Sequence, residues 1–348
     1  MIIRLLKGAC CLSLAIAATG YGTARADDIS DFYKGRNLTI YVGFGAGGGY
    51  DLYARLVAAH YGRHIPGNPN LIVKNMPGGG TRKAAAYIAN ATAQDGATLG
   101  MFVDTLALDT ALRPEPKFSM NKFVWIGRVA AGSKLAFTWH TAPAKSVRDA
   151  VGKEITIAAI SPGSTSSMIP LVLNSIVGTK FKPIVGYRGS AAMALAAERG
   201  ETDAVGAIGW EVLKGRHADW MRDKKVNLLY IASVNRIREL PDVPALPEFA
   251  KTADDRKVLT ALGSATEIGR SLAAEPGIPK GRADALRKAY AGLIRDRKFL
   301  ADGEKRKLDI DPLDGEALAK VVAEVVAMPR ALVDRLNVLS KAKLAKKK

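Results

Sequence analysis

Apolar positions along the chain alternate between two spacings. The run Asn37–Gly43 (NLTIYVG) is short, rich in β-branched residues and closed by glycine, and it predicts a strand. From Tyr50 to Ile65, Leu52, Leu56 and Val57 fall on one side at helical spacing. Asn70–Asn75 predicts the next strand, Arg82–Ala91 an alanine-rich helix and Thr98–Val103 a third strand. This β-α-β-α-β order predicts a parallel sheet covered on both faces. A second series follows, with strands at Phe123–Ala130, Leu135–Trp139, Glu154–Ile160, Phe181–Gly186, Asp203–Ile208 and Val226–Ala232. Helices are expected at Ser167–Ile176 and at Ser190–Arg199, the latter stopped by Gly200. Leu240–Pro247 is a proline-rich loop. The remainder reads as helix, Lys280–Arg295 and Gly315–Ala327, broken near Pro329. No internal sequence repeat is visible.

The pattern predicts an α/β chain of two lobes, each a mostly parallel sheet flanked by helices. Residues 27–130 and 264–348 are expected in lobe 1, and 131–263 in lobe 2. The C-terminal helices return to lobe 1 because a helix pair without strands needs a sheet to cover. Two crossings between lobes leave a cleft, a common place for a small ligand.

The first 26 of the 348 residues read as an export signal rather than fold. Arg4 and Lys7 make a basic start, an apolar stretch runs from Gly8 to about Ala18, and Ala24-Arg25-Ala26 gives a cleavage site before Asp27. Periplasmic location after cleavage at Ala26 is therefore expected. Both cysteines, Cys10 and Cys11, lie inside this segment, and Lys7 stands where a lipid-attachment signal needs an aliphatic residue. The mature chain then has no thiol, so disulfides, thiol catalysis and cysteine–zinc sites are excluded. No later apolar run reaches the ~18–20 residues of a bilayer span. The net charge of +18 drops to +15 on removal of the signal's three basic residues, a balance that favours anionic partners.

Candidate chemistry gathers in strand-to-helix loops. Gly43–Asp51 (GFGAGGGYD) holds five glycines ahead of a helix, so its backbone can approach a ligand and the helix N-terminus can hold an anion. Within it Ala46, Gly47, Gly48 and Gly49 are candidate contacts, with Asp51 as the N-cap. Gly80 and Thr81 end a second glycine loop. Ser161, Gly163, Ser164, Thr165 and Ser166 form a hydroxyl-rich third loop, and Arg188, Gly189 and Ser190 a fourth. Asp104, after the third strand, is placed to meet an ammonium or hydroxyl group, or to cap a helix. All four loops are expected at the carboxyl ends of strands, where open α/β folds bind ligands. Together they point to an anionic small molecule held largely by main chain.

Gly43–Gly48 also fits G-x-G-x-x-G, but Lys74-Asn75-Met76-Pro77 stands where a dinucleotide site wants an acid. There is no nucleophile elbow and no phosphate loop. His60 and His64 are spaced for a metal without a third ligand, and read as a solvated helix face. The basic residues are dispersed, aromatics are 7%, and no nucleic-acid motif occurs. No catalytic residue, cofactor or metal is expected.

At these motifs the sequence resembles the periplasmic solute receptors of tripartite tricarboxylate transporters, the TctC or Bug proteins. The shared pattern runs V-x-F-x-x-G-G-G-x-D at Val42–Asp51, N-x-P-G-x-G at Asn75–Gly80 and D-G-x-T-L at Asp95–Leu99. It continues with a P-G-x-x-S loop at Pro162–Ser166, Y-[KR]-G-[SG] at Tyr187–Ser190 and G-[EQ]-x-D at Gly200–Asp203. Pro241–Pro244 and a hinge-like Pro276–Pro279 complete it, so the set covers about Asp31 to Leu336. The resemblance implies a type II-like periplasmic-binding-protein architecture that closes on a carboxylate and delivers it to a membrane permease, as a monomer and without catalysis. In the family the loops matching Ala46–Asp51 and Ser161–Ser166 hold a carboxylate through backbone, hydroxyls and waters. Two departures stand out: the long Arg63–Pro69 stretch, and Phe102-Val103-Asp104 where small residues are common. The second places a hydrophobic or cationic group beside Asp104. Two other readings share the export signal: a secreted α/β enzyme, hydrolase or dinucleotide-dependent, and a sensor presenting its closed form to a signalling partner.

Overall fold

The computed structural model describes residues 26–113, 117–132, 134–340 and 345–346. Residues 1–25 of the expected 26-residue export signal lie outside them, as does the lysine-rich end apart from 345–346. The chain builds β1 (Asn37–Val42), β2 (Asn70–Asn75), β3 (Thr98–Met101) and β4 (Val124–Ala130). It then crosses to β5 (Lys134–Trp139), β6 (Glu154–Ala159), β7 (Lys180–Val185), β8 (Ala204–Gly209) and β9 (Val226–Ile231). It returns for β10 (Arg270–Ala274) and β11 (Leu313–Asp314), and a short β12 (Ala345–Lys346) follows.

These strands form two sheets, ordered β11-β4-β10-β3-β1-β2 and β12-β7-β6-β8-β5-β9. In the first, β2 and β3 run parallel to β1. In the second, β7 and β8 run parallel to β6. Both sheets turn antiparallel at the strand next to a crossing, β10 between β3 and β4 and β5 between β8 and β9, and the short β11 also runs antiparallel to β4. The segments β2-β1-β3-β10-β4 and β7-β6-β8-β5-β9 thus have one topology, although the sequence carries no repeat. Burial follows position. The central β8 is buried at every residue, whereas the edge strand β2 has no fully buried residue. Pro183 is tolerated in β7 because only β12 lies outside it.

Several elements depart from the sequence expectation. β10 (RSLAA) carries no β-branched residue and was not expected. The helix Ala253–Ala265 was not expected either, although Thr252 and Asp255 form a capping box whose hydroxyl and carboxylate each accept the other residue's N–H. His60 and His64 are not a solvated face: their Nε2 atoms lie 2.9 Å from Asp302 and 2.8 Å from Asp296, fastening the helix Gly49–Tyr61 and the turn after it to the C-terminal helices. Pro276–Pro279 is not a hinge between lobes; it joins β10 to the helix Lys280–Leu293 beside the first sheet. The helix Arg330–Leu339 touches helices beside both sheets, and its Leu339 carbonyl accepts from Ser175 Oγ at 2.9 Å. Among the described residues no helix is long and apolar enough to cross a membrane.

Candidate functional site

A narrow cavity lies between the two sheets, at the carboxyl ends of β1, β3, β6 and β8. This is the crevice where strand order reverses in each sheet and where open α/β folds hold ligands. Three helix N-termini meet it: Gly48 and Gly49 open one helix, Ser164, Thr165 and Ser166 the second, and Ser190 the third. Each presents unpaired N–H groups and the positive end of its dipole.

Two cations line the same cavity. Lys134 heads β5 and Arg270 heads β10, the two strands beside the crossings. Lys134 Nζ donates to Asp104 Oδ1 at 2.6 Å and to Tyr50 Oη at 3.2 Å. Arg270 Nη2 donates to Glu211 Oε1 at 2.6 Å, and its guanidinium lies 4.5 Å from the centre of the Tyr50 ring. Arg270 is 1% exposed, yet its Nε and Nη1 have no hydrogen-bond partner. Burial pushes the Lys134 ammonium down to about 8, against the pull of Asp104 and with the help of the Arg270 charge. Burial also opposes the Arg270 charge, but Glu211 more than restores it. Burial, with Asp104 adding to it, drives the Tyr50 hydroxyl well up, so it stays neutral while accepting from Lys134 Nζ and Asp104 N.

No protein-family model matches the chain. Over 347 residues it is 26% identical to the UPF0065 protein in the gbd 5′ region of Cupriavidus necator, covering 95% of this chain and 96% of that one. It superposes on the periplasmic binding protein BugD with a TM-score of 0.69 at 19% identity, across 90% of this chain and 100% of BugD. MatC from Rhodopseudomonas palustris, solved with bound malate, superposes with a TM-score of 0.66 at 21% identity, across 88% of this chain and 99% of MatC. The chain has the fold of the Bug and TctC periplasmic binding proteins.

Within this Bug/TctC fold the expected site residues fall into three groups. Gly48, Gly49, Ser164, Thr165, Ser166 and Ser190 line the central cavity. Gly80 and Arg188 line a second, neighbouring cavity, with the Arg188 side chain exposed. Ser161 and Gly163 border a third, more open one together with Asp109 and Arg113. The remainder support the loops. Ala46 is exposed, and Gly189 packs against Phe44. Thr81 Oγ1 accepts from Val103 N at 3.3 Å.

Two expectations are corrected. Asp51 is not the N-cap; Gly48 is. The Asp51 carboxylate sits three positions into the turn and accepts from Gly47 N at 2.9 Å, from both Arg55 donors and from Asn75. Burial opposes its ionisation, but these bonds outweigh it and hold the carboxyl below its usual range. Asp104 does not line the cavity. The cation beside it is the chain's own Lys134, and its Oδ1 also accepts from Thr105 N and Thr165 Oγ1.

The glycine loop approaches the opposite lobe more closely than any ligand requires. A Cβ on Gly49 would come closer than 3.0 Å to Glu211 Oε1, and to 3.3 Å from Arg270 Nη2. A Cβ on Gly80 would overlap Ser161 Oγ in the same way. Hydrogen bonds join the lobes at the same loops: Gly45 N donates to the Arg188 carbonyl at 2.7 Å, and Arg216 Nη1 to the Gly47 carbonyl at 2.8 Å. These contacts define a closed arrangement.

Sequence reading missed Tyr50, Lys134, Glu211 and Arg270. Two of them left a signal. A lone basic residue opens each of the runs KLAFTW and RSLAA, whose every position is buried. A charge at the head of a fully buried strand is costly unless it has a partner or a task.

Proposed function

We propose that this chain is a periplasmic solute receptor. Its lobes, divided near residues 130 and 264, close on a small carboxylate-bearing anion, and the closed form is delivered to a membrane permease. The observation that carries this reading is the buried Arg270 guanidinium, which faces an interlobe cavity with two unmet donors while three helix N-termini converge on the same space. Such a site replaces the hydration of an anion without moving protons. BugD is a periplasmic binding protein and MatC was solved with malate, which supports a carboxylate as ligand. The protein works as an exported monomer, with the signal removed after Ala26, and needs no cofactor.

One observation favours a catalytic reading. Lys134 Nζ lies 3.5 Å from Thr165 Oγ1, the arrangement of a lysine-activated hydroxyl. That hydroxyl, however, donates to Asp104 at 3.1 Å, and the same carboxylate holds Lys134. The pair is a structural clasp in the receptor reading. A thermal-shift panel of carboxylates and nicotinamide nucleotides tests the proposal, because a ligand of the folded state raises the melting temperature by mass action. A shift with carboxylates and no turnover of carboxylic esters supports it. A shift with nucleotides alone, or ester hydrolysis lost in Thr165→Val, overturns it.

A further inference from the structure

The central cavity carries an asymmetry that bears on what it takes. The two cations that line it are neutralised from behind, Lys134 by Asp104 and Arg270 by Glu211, and each of the four side chains is at most 7% exposed. The remaining walls include Phe44, Val103, Ile160 and Ala207, with a few hydroxyls at the helix N-termini. One carboxylate has a place here. It meets the unpartnered Arg270 donors, which are otherwise costly to bury, and the helix N-termini offset its charge at roughly half an elementary charge each. A second carboxylate has none. The other arginine near the site, Arg188, lies in the neighbouring cavity with its side chain in solvent, and Ile160 stands between the two spaces.

From this we infer that the receptor selects a single carboxylate on an apolar body, with Arg270 as the group that holds it directly. The class is small aliphatic or aromatic monocarboxylates rather than di- or tricarboxylates. The apolar body lies against Phe44, Val103 and Ile160, where transfer out of water adds to the binding. A dicarboxylate of the same length would bury its second charge on this wall without a counter-ion, and that is strongly unfavourable. The inference rests on the receptor reading above and sharpens it.

Isothermal titration of the purified protein with hexanoate and adipate tests it, because the two share chain length and differ only by a terminal carboxylate. Benzoate, malate and citrate complete the series. Hexanoate or benzoate is expected to bind at least tenfold more tightly than adipate, malate or citrate, and Arg270→Gln to lose at least tenfold of that affinity. Adipate binding as tightly as hexanoate overturns the inference and leaves the receptor reading standing. Full hexanoate affinity in a folded Arg270→Gln protein removes Arg270 from the site. If that variant does not fold, the hexanoate-to-adipate ratio of the wild type decides alone. No binding by any of the five acids brings down the receptor reading and this inference with it.

Discussion

Gly49→Ala separates a loop built for lobe closure from a loop that is merely tight. Gly49 is the first residue of its helix and its φ is not positive, so alanine fits the backbone. With the lobes apart, only the same-lobe Arg270 side chain remains near the added Cβ, and alanine favours the helix by up to about 1 kcal/mol. With the lobes closed, its Cβ would lie closer than 3.0 Å to Glu211 Oε1 and 3.3 Å from Arg270 Nη2. Neither group can swing away, because they hold each other at 2.6 Å and are both buried. Overpacking of this kind costs about 1–3 kcal/mol. The cost falls on the closed state, since Glu211 belongs to the opposite lobe. At about 1.4 kcal/mol per tenfold, affinity for a ligand enclosed by closure drops roughly 5- to 150-fold. Titration calorimetry with hexanoate, or with whichever carboxylate gives the largest thermal shift, measures this drop. Gly152→Ala is the control, since a Cβ there meets nothing within 4 Å. Affinity within twofold of wild type in Gly49→Ala would refute the closure argument.

Four further outcomes follow from the same geometry. In the closed protein Lys134 titrates near 8, below its ordinary 10.5, so raising the pH from 7 to 9 removes a positive charge from the cavity and weakens carboxylate binding; an affinity flat across that range contradicts the placement of Lys134. The same depression means that the unfolded chain binds the extra proton between pH 8 and 10.5, so this group's contribution to stability rises with pH in that window and is constant below it. Asp51→Ala breaks the bonds to Gly47, Arg55 and Asn75 and should destabilise by about 1.5–3 kcal/mol in urea melts; unchanged stability with lost affinity would instead make Asp51 a ligand contact. Arg188→Ala should leave hexanoate affinity within twofold, because its side chain lines the neighbouring cavity; a tenfold loss would move the ligand there.

The strands and the loops between strand and helix were legible because their runs are short, apolar and bounded by glycine. Asn70–Asn75 and Arg82–Ala91 match residue for residue. The hydroxyls of Ser164, Thr165 and Ser166 were legible for the same local reason, since they open a helix. The charged half of the site was not. Reading the strand from Leu135 discarded Lys134, the residue that matters most in it. Arg270 and Glu211 lie 59 positions apart, and Asp104 and Lys134 lie 30 apart, so only the crossings between sheets bring them together. The glycines of Gly43–Gly49 were recognised as permitting close approach, but sequence could not tell that the approaching group is the other lobe. Asp51 was misplaced because an acid at the third helical position and one at the N-cap look alike without backbone angles.

The most direct test is a crystal structure of the protein with the carboxylate that gives the largest thermal shift. The account predicts closed lobes, with the carboxylate within hydrogen-bonding distance of Arg270 and of the helix N-termini at Gly49 and Ser164–Ser166. A carboxylate bound at Arg188 in the neighbouring cavity, or a central cavity left empty, would contradict it.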